Sequence, residues 1–356
     1  MLANPGKNAV YGFQNRAYRQ SRGGFRPTSA SCIIKDEYGY DKQIGKCHRA
    51  EWFRLNGVTP TNPPSDRAYG IFATGNGMED HFQQVWKTQG LLLDGSVLNY
   101  GPVGPDPRII ISGESDILLW DHELDSDGKV TKIYRDKAIG LEMKTCRGYF
   151  AKKMVFGIGN KMYPNGAPKY EHIMQTAMYL MMREAHEKHY NVKIDHYILF
   201  YFAVDTGHYT QFKISLSNGY DGDIIVETLN GTAIEPDVAY QLIAGKTLNA
   251  WEGLNTDNIL KRYSELADKL DLPDPPDRDY QLRYDDKTVK IKLDTGDMSK
   301  TKYNEWLKKP LAEVGDWQCS YCDFKGHCYP VSIFSEDVED GVLTLDEAIR
   351  ELGYED

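Results

Sequence analysis

Ile111-Ser-Gly-Glu-Ser-Asp-Ile-Leu-Leu119 and, twenty residues on, Ile139-Gly-Leu-Glu-Met-Lys-Thr145 decide how this chain is read. Short apolar runs bounded by glycine and polar turns read as strands. Between them, Asp125-Ser126-Asp127-Gly128 has the aspartates and glycine of a tight turn, so the two strands are expected to form a hairpin. Residues two apart on a strand share a face. Glu142 and Lys144 therefore point one way, and Leu141 and Met143 point the other way into a core. Asp116, arriving from the neighbouring strand, adds a second carboxylate. Two carboxylates with a lysine beside them suit a hard divalent cation such as Mg²⁺. A cation there polarises a phosphoryl oxygen and acidifies its bound water, which the lysine can orient. A surface hairpin with a solvated Glu–Lys pair accounts for this segment alone equally well.

The 356 residues are 41% hydrophobic and 26% charged, enough for one large domain or two small ones. No window reaches the roughly 18 consecutive apolar residues of a membrane span. A net charge of −10 argues against a protein that coats nucleic acid nonspecifically, but permits a nuclease whose metal site is acidic. Positive charge gathers in residues 1–35, which hold Lys7, Arg16, Arg19, Arg22, Arg26 and Lys35 and no acid. That leader has no secretory apolar core; it reads as an extension, a DNA-contacting arm or a transit-like segment. A cytoplasmic setting in a bacterial or phage-infected cell is expected.

Further along, residues 45–55 around Cys47 read as an amphipathic helix, and 68–90 as a long one with His81 at the polar edge of the stripe Phe82, Val85, Trp86. Residues 147–169 read as a flexible basic loop. Residues 170–187 read as a helix on which Gln175 and Tyr179 share a face. Two apolar runs, 196–206 and 209–215, read as an antiparallel pair completing a mixed sheet. After them come a helix at 256–270, a proline-rich break at 272–277, a short hairpin at 280–293 and an acidic tail with a short helix at 345–352.

Three of the six cysteines, Cys319, Cys322 and Cys328, fall within ten residues. In a chain without secretory signals such a cluster suggests metal. A fourth ligand is needed for tetrahedral zinc or a cubane cluster. Cys47 is the first choice and Cys32 the second, while His48 or His327 would make a Cys₃His zinc site. Spacing alone leaves zinc and iron–sulfur open. Cys146 reads as a small core residue.

Assembled, these residues resemble the RecB-like branch of the PD-(D/E)xK nucleases. That branch places a helix histidine, a Gly-x-x-Asp strand, an (Asp/Glu)-x-Lys strand and a Gln-x-x-x-Tyr helix in this order. Here they match His81, Gly113 to Asp116, Glu142-Met143-Lys144, and Gln175 to Tyr179. An iron–sulfur subset, including AddB-type nucleases and CRISPR-associated exonucleases, adds one cysteine before these motifs and three after, matching Cys47, Cys319, Cys322 and Cys328. The resemblance spans residues 28–216 and 315–330. It departs from the pattern in the long Asp116-to-Glu142 excursion, in the residues between Ser31 and Cys47, and in lacking a proline after Cys47.

The resemblance implies an α/β restriction-endonuclease-like core, a central mixed sheet flanked by helices, with the C-terminal cysteine cluster stapled to an N-terminal helix. It implies Mg²⁺ or Mn²⁺ held by His81, Asp116, Glu142 and the Met143 carbonyl, and catalysis by Asp116, Glu142 and Lys144. Gln175 and Tyr179 would touch DNA or brace the site, and the four cysteines would hold a 4Fe–4S cluster, with zinc as the alternative.

The expected divisions are a basic extension at 1–27, a nuclease core at 28–217, an elaboration of unassigned role at 218–314, a cysteine cluster at 315–330 and an acidic tail at 331–356. The expected activity is a metal-dependent DNA exonuclease acting on single strands or duplex ends in replication, recombination or repair. The alternatives are a structure-specific endonuclease in a larger complex and a non-catalytic iron–sulfur DNA-binding scaffold. No Gly-x-x-x-x-Gly-Lys-(Ser/Thr) loop is present, so unwinding would fall to a partner helicase or another replication or recombination protein.

Overall fold

The computed structural model describes residues 24–35, 41–158, 166–228, 253–294, 298–309 and 312–329. The basic leader before residue 24, Lys161 and the acidic tail with its expected helix lie outside them. The chain divides into two compact units, Met1–Gly45 with Asp66–Asp268, and Lys46–Ser65 with Lys269–Asp356.

The first unit is built on a mixed sheet flanked by helices. A small antiparallel pair, β1 (Ser31–Lys35) and β2 (Asp41–Gly45), precedes it. The sheet runs in the order β3 (Leu92–Pro102), β4 (Ile110–Leu124), β5 (Val130–Cys146), β6 (Lys193–Ala203), β7 (Tyr209–Leu216), β8 (Ile224–Thr228). Its neighbours are antiparallel except β5 and β6, which are parallel. A parallel pair needs a long crossover, and here that crossover carries two helices. The sixth strand lies past position 217.

The β4–β5 hairpin forms where the sequence places it. Asp125 Oδ1 accepts the amides of Asp127 at 3.0 Å and Lys129 at 2.9 Å, and Gly128 takes φ +80°. One face of the sheet packs Ile117, Leu119, Leu141, Met143, Ile198 and Phe200 against Met78, Phe82 and Trp86. Those three come from α2 (Asp66–Thr88), whose stripe is thus 78–82–86, while Val85 is exposed. The helix carrying Cys47 at its N-cap, α1 (His48–Leu55), belongs to the second unit.

The crossover, expected as one helix over 170–187, is two: α3 (Tyr170–Met181) and α4 (Glu184–Tyr190). Buried Arg183 sits at the break. It donates to the Leu180 carbonyl at 2.7 Å and stacks over the Tyr220 ring at 4.1 Å, giving the chain a fixed bend. Residues 148–150 and 151–155 form a helical turn and a short π-helix where a loop was expected.

After α5 (Thr256–Leu270), which lies almost wholly in the first unit, the expected hairpin at 280–293 is absent and α6 (Asp286–Asp294) forms in the second unit instead. Asp285 decides this: its Oδ1 accepts the Thr288 amide at 2.7 Å, an N-cap that satisfies an otherwise orphaned donor. That local bond outweighs the strand propensity of Val289 and Ile291. A small core of Val289, Met298 and Val314 packs against Tyr303 and Trp306 of α7 (Lys300–Lys308). Among the described residues, no helix is long and apolar enough to cross a membrane.

Candidate active site

The sheet splits where the motif residues sit. The β4–β5 register ends at Ile117 opposite Leu141. Beyond it β4 stays paired with β3 back to Ile110, while β5 stays paired with β6 out to Cys146. Separating strands leave backbone donors facing a gap. Asp116 closes part of it, its Oδ2 accepting the Met143 amide at 2.7 Å. Asp116, Glu142 and Lys144 thus meet at one notch because the strands carrying them diverge there.

Glu142 is 1% exposed. Its Oε1 accepts from Lys144 Nζ at 2.5 Å and from Gln175 Nε2 at 2.7 Å, while its Oε2 is buried with no partner. Gln175 and Tyr179, 6% and 2% exposed, stand on the face of α3 turned to the sheet. Gln175 Nε2 lies 3.4 Å from the Tyr179 hydroxyl, which donates to the Glu114 carbonyl at 2.8 Å. One helix face therefore ties β5 to β4 across the notch. Gly113 makes room for this: a Cβ there would stand 2.6 Å from Pro27 Cδ and 3.5 Å from the Tyr179 ring. The Gly113-x-x-Asp116 spacing records a close packing as well as a ligand. On the same helix, one turn before Gln175, His172 Nδ1 lies 2.8 Å from the Tyr201 hydroxyl. Burial, then the charges of Lys144 and Lys169, hold that imidazole well below its ordinary pKa.

The structure does not bring His81 to the notch. It is exposed, and its ring meets Phe82 at 5.9 Å. With Met78, Phe82 and Trp86 on the sheet, the residue of α2 that turns toward Asp116 and Lys144 is Glu79, steadied by Gln83 Nε2 at 3.2 Å. Two residues along a helix is about 200° of rotation, so Glu79 and His81 cannot serve the same side. Glu79 and His81 flank the apolar stripe on opposite sides, so the stripe alone could not say which of them turns to the strands.

The electrostatics follow from three carboxylates and one lysine. Burial, then Glu142, pushes the Asp116 carboxyl up to about 8. Burial, then Asp116, pushes Glu79 up to about 7. Burial also raises Glu142 against the opposing pull of Lys144. Lys144 is disfavoured by burial, yet Glu142, Asp116 and Glu79 together hold its proton more tightly than usual. One ammonium does not neutralise three carboxylates, so the notch takes up either protons or further positive charge.

In the second unit, Cys47, Cys319, Cys322 and Cys328 line one cavity of about 20 Å³, with Arg278 and Tyr329. Burial raises each thiol, Cys47 to about 11, and the Cys319 thiol is raised further by the charge of Cys47. Two of the other candidate ligands are engaged elsewhere. Cys32 lies in the first unit and donates to the Gly253 carbonyl at 2.7 Å. His327 Nε2 lies 2.8 Å from the Thr59 carbonyl. Among the described residues, no three His, Cys, Asp or Glu side chains stand in a ready coordinating arrangement. The notch and the thiol cavity therefore both gather donors without presenting a finished cage.

No family model and no curated protein matches this chain. Among solved structures, one described as the crystal structure of SSO0001 aligns with a TM-score of 0.33 and 15% identity, over 59% of this chain and 78% of that one.

Proposed function

We propose that the chain is a metal-dependent deoxyribonuclease with a restriction-endonuclease-like core of the RecB-like PD-(D/E)xK type, acting as an exonuclease on single strands or duplex ends. The observation that carries this reading is the notch where β4 and β5 separate, with Asp116, Glu142 and Lys144 converging on it. The donor set fits Mg²⁺ or Mn²⁺: hard carboxylate oxygens, an excess of negative charge, and a buried Glu142 Oε2 that lacks a partner. Asp116, Glu142 and Glu79 would hold the metal, Glu79 taking the place the resemblance gave to His81. A bound divalent cation supplies Lewis acidity toward a phosphoryl oxygen and a more acidic water.

The chain's own residues do the rest. Lys144 keeps its proton and offers an N–H donor at the mouth of the notch, its side chain 22% exposed. It can orient a water or meet charge developing on a phosphate oxygen. Gln175 and Tyr179 fix Glu142 and the strand behind it; both are too buried to touch DNA.

The four cysteines would bind a 4Fe–4S cluster that staples α1 to the C-terminal segment. Joining positions 47 and 319 closes a long stretch of chain, which stabilises the closed form. One zinc ion held by the same four thiols is the alternative. Iron, sulfide and zinc analysis of protein purified without oxygen separates the two.

The deciding experiment incubates an end-labelled single strand with the protein and Mg²⁺ or Mn²⁺, beside Lys144→Ala. Metal-dependent cleavage lost in the variant, with strand binding kept, supports the reading. A wild type that binds the strand with its cysteine cofactor in place and cuts nothing overturns it in favour of a scaffold.

A further inference from the structure

One cavity on the first unit is unused by the notch. About 190 Å³ in volume, it is lined by Arg67, Gly70, Ile71 and Thr74 of α2 and by Thr145, Arg147 and their neighbours at the end of β5. The α2 residues recur at spacings of three and four and so form a single helix face. Gly70 leaves that face open, since a Cβ there would meet nothing within 4 Å. Gly75 lets the helix approach: a Cβ there would stand 3.3 Å from Thr145 Oγ1. Glycine inside a helix costs about 1 kcal/mol relative to alanine, so these positions trade helix stability for open space and close packing.

Two arginines line this space. Among the described residues, neither Arg67 nor Arg147 makes an ion pair or a side-chain hydrogen bond, although the chain carries a net charge of −10. Arg147 is nonetheless placed firmly. The next amide, Gly148, has φ +78° and donates to Asp205 Oδ2 at 3.0 Å, and Val204 donates to the Cys146 carbonyl at 3.1 Å. Arg147 follows the end of β5 three residues beyond Lys144, about 10 Å at 3.3 Å per residue, and the odd spacing turns it to the α2 face of the strand, the side from which Glu79 comes. Tyr149, two positions further, is 73% exposed, with Lys153 Nζ 5.5 Å from its ring centre. Unpaired guanidiniums suit a phosphate, and an exposed tyrosine beside them suits a stacked base. Together they favour a polynucleotide strand over a free anion.

We propose that Arg67 and Arg147 clamp a backbone phosphate of the nucleic-acid strand, one or two nucleotides from the linkage held at the notch, an assignment that rests on the nuclease reading for that second linkage. The clamp fixes the register of the strand, so its loss acts on strand affinity and KM, while kcat stays near the wild-type value.

The test measures binding of a fluorescein-labelled 12-nucleotide single strand without divalent metal over a series of salt concentrations, for wild type, Arg67→Ala/Arg147→Ala and Arg67→Lys/Arg147→Lys. Losing one phosphate contact on a single strand makes the slope of log affinity against log salt shallower by about 0.7. The alanine pair should bind about tenfold more weakly with that shallower slope, the lysine pair should keep the wild-type slope, and thermal midpoints should not change. One neutral methylphosphonate linkage, moved along the strand, should abolish the difference between wild type and alanine variant at one position only. Unchanged affinity and slope in the alanine pair, or no strand binding by wild type, overturns the clamp. If the clamp behaves as stated and wild type still cuts nothing in Mg²⁺ or Mn²⁺, the clamp stands and the nuclease reading falls.

Discussion

Replacing Gln175 by alanine separates bracing from substrate contact. The side chain is 6% exposed and its Nε2 donates to Glu142 Oε1 at 2.7 Å. A hydrogen bond to a charged group contributes about 1.5–3 kcal/mol, and leaving the carboxylate underpaired adds a desolvation cost. A loss on the order of 2 kcal/mol lowers the melting midpoint of a unit this size by about 4–8 °C. The effect on activity follows from geometry: without Gln175, only Lys144 holds Glu142 Oε1, so the unpartnered Oε2 is no longer held in place. Losing a group that orients a ligand typically weakens metal affinity by about 10–100-fold. Titrating Mn²⁺ at saturating strand should show that rightward shift, with KM for the strand unchanged at saturating Mn²⁺. A raised KM with an unchanged Mn²⁺ midpoint would mean that Gln175 contacts the substrate and would refute the argument.

The notch also sets a pH dependence. Asp116 and Glu79 hold their protons up to about 8 and about 7 in the folded chain, against about 4 when unfolded. The folded chain therefore binds more protons between these values, and its metal-free stability falls as pH rises from about 4 to 8. Mn²⁺ should raise the melting midpoint more at pH 8 than at pH 6, and an equal rise at both would sink the assignment of these carboxylates. Cys319→Ser should lower iron or zinc content below one site per chain and expose the segment around Cys47 to protease; full metal content in the variant would exclude Cys319 as a ligand. Gly140→Ala would place a Cβ 2.2 Å from the buried Tyr197 ring, costing about 3 kcal/mol, the upper end for overpacking, so a midpoint within 2 °C of wild type would contradict the packing.

Much of the fold was legible because it is written locally. The Asp125–Gly128 turn and the alternation along β4 and β5 needed only near neighbours, and so did the 256–270 helix. What was illegible depends on partners far away. The break between α3 and α4 rests on Arg183 meeting Tyr220, and the need for glycine at 140 rests on Tyr197 from the neighbouring strand. The helix at 286–294 stands where a hairpin was expected; the N-cap at Asp285 was the local signal for it. At the site, the residues that the strand motifs single out are the ones the structure brings to the notch, since period two puts Glu142 and Lys144 on one face. The helix is less readable, because Glu79 and His81 flank the Phe82 stripe on opposite sides and the stripe alone does not say which side turns to the strands.

That contrast explains why the candidate site is more secure on the strands than on α2. Asp116 and Glu142 come together because β4 and β5 stop pairing at Ile117 and Leu141, and that stop is stabilised from both sides of the gap. Asp116 takes the Met143 amide that the lost ladder would have satisfied, and Tyr179 takes the Glu114 carbonyl one step further out. Substituting either residue thus frees a backbone group the sheet cannot reclaim without closing the notch. The residues that open the gap are the ones offering oxygens and a hydroxyl to it, so the motif spacing is at once a folding constraint and a chemical one. Glu79 carries no such double duty. Its place depends only on how α2 rolls against Phe200 and Phe202 through Phe82, and a small roll would move it away from the notch while the strand carboxylates stayed in place.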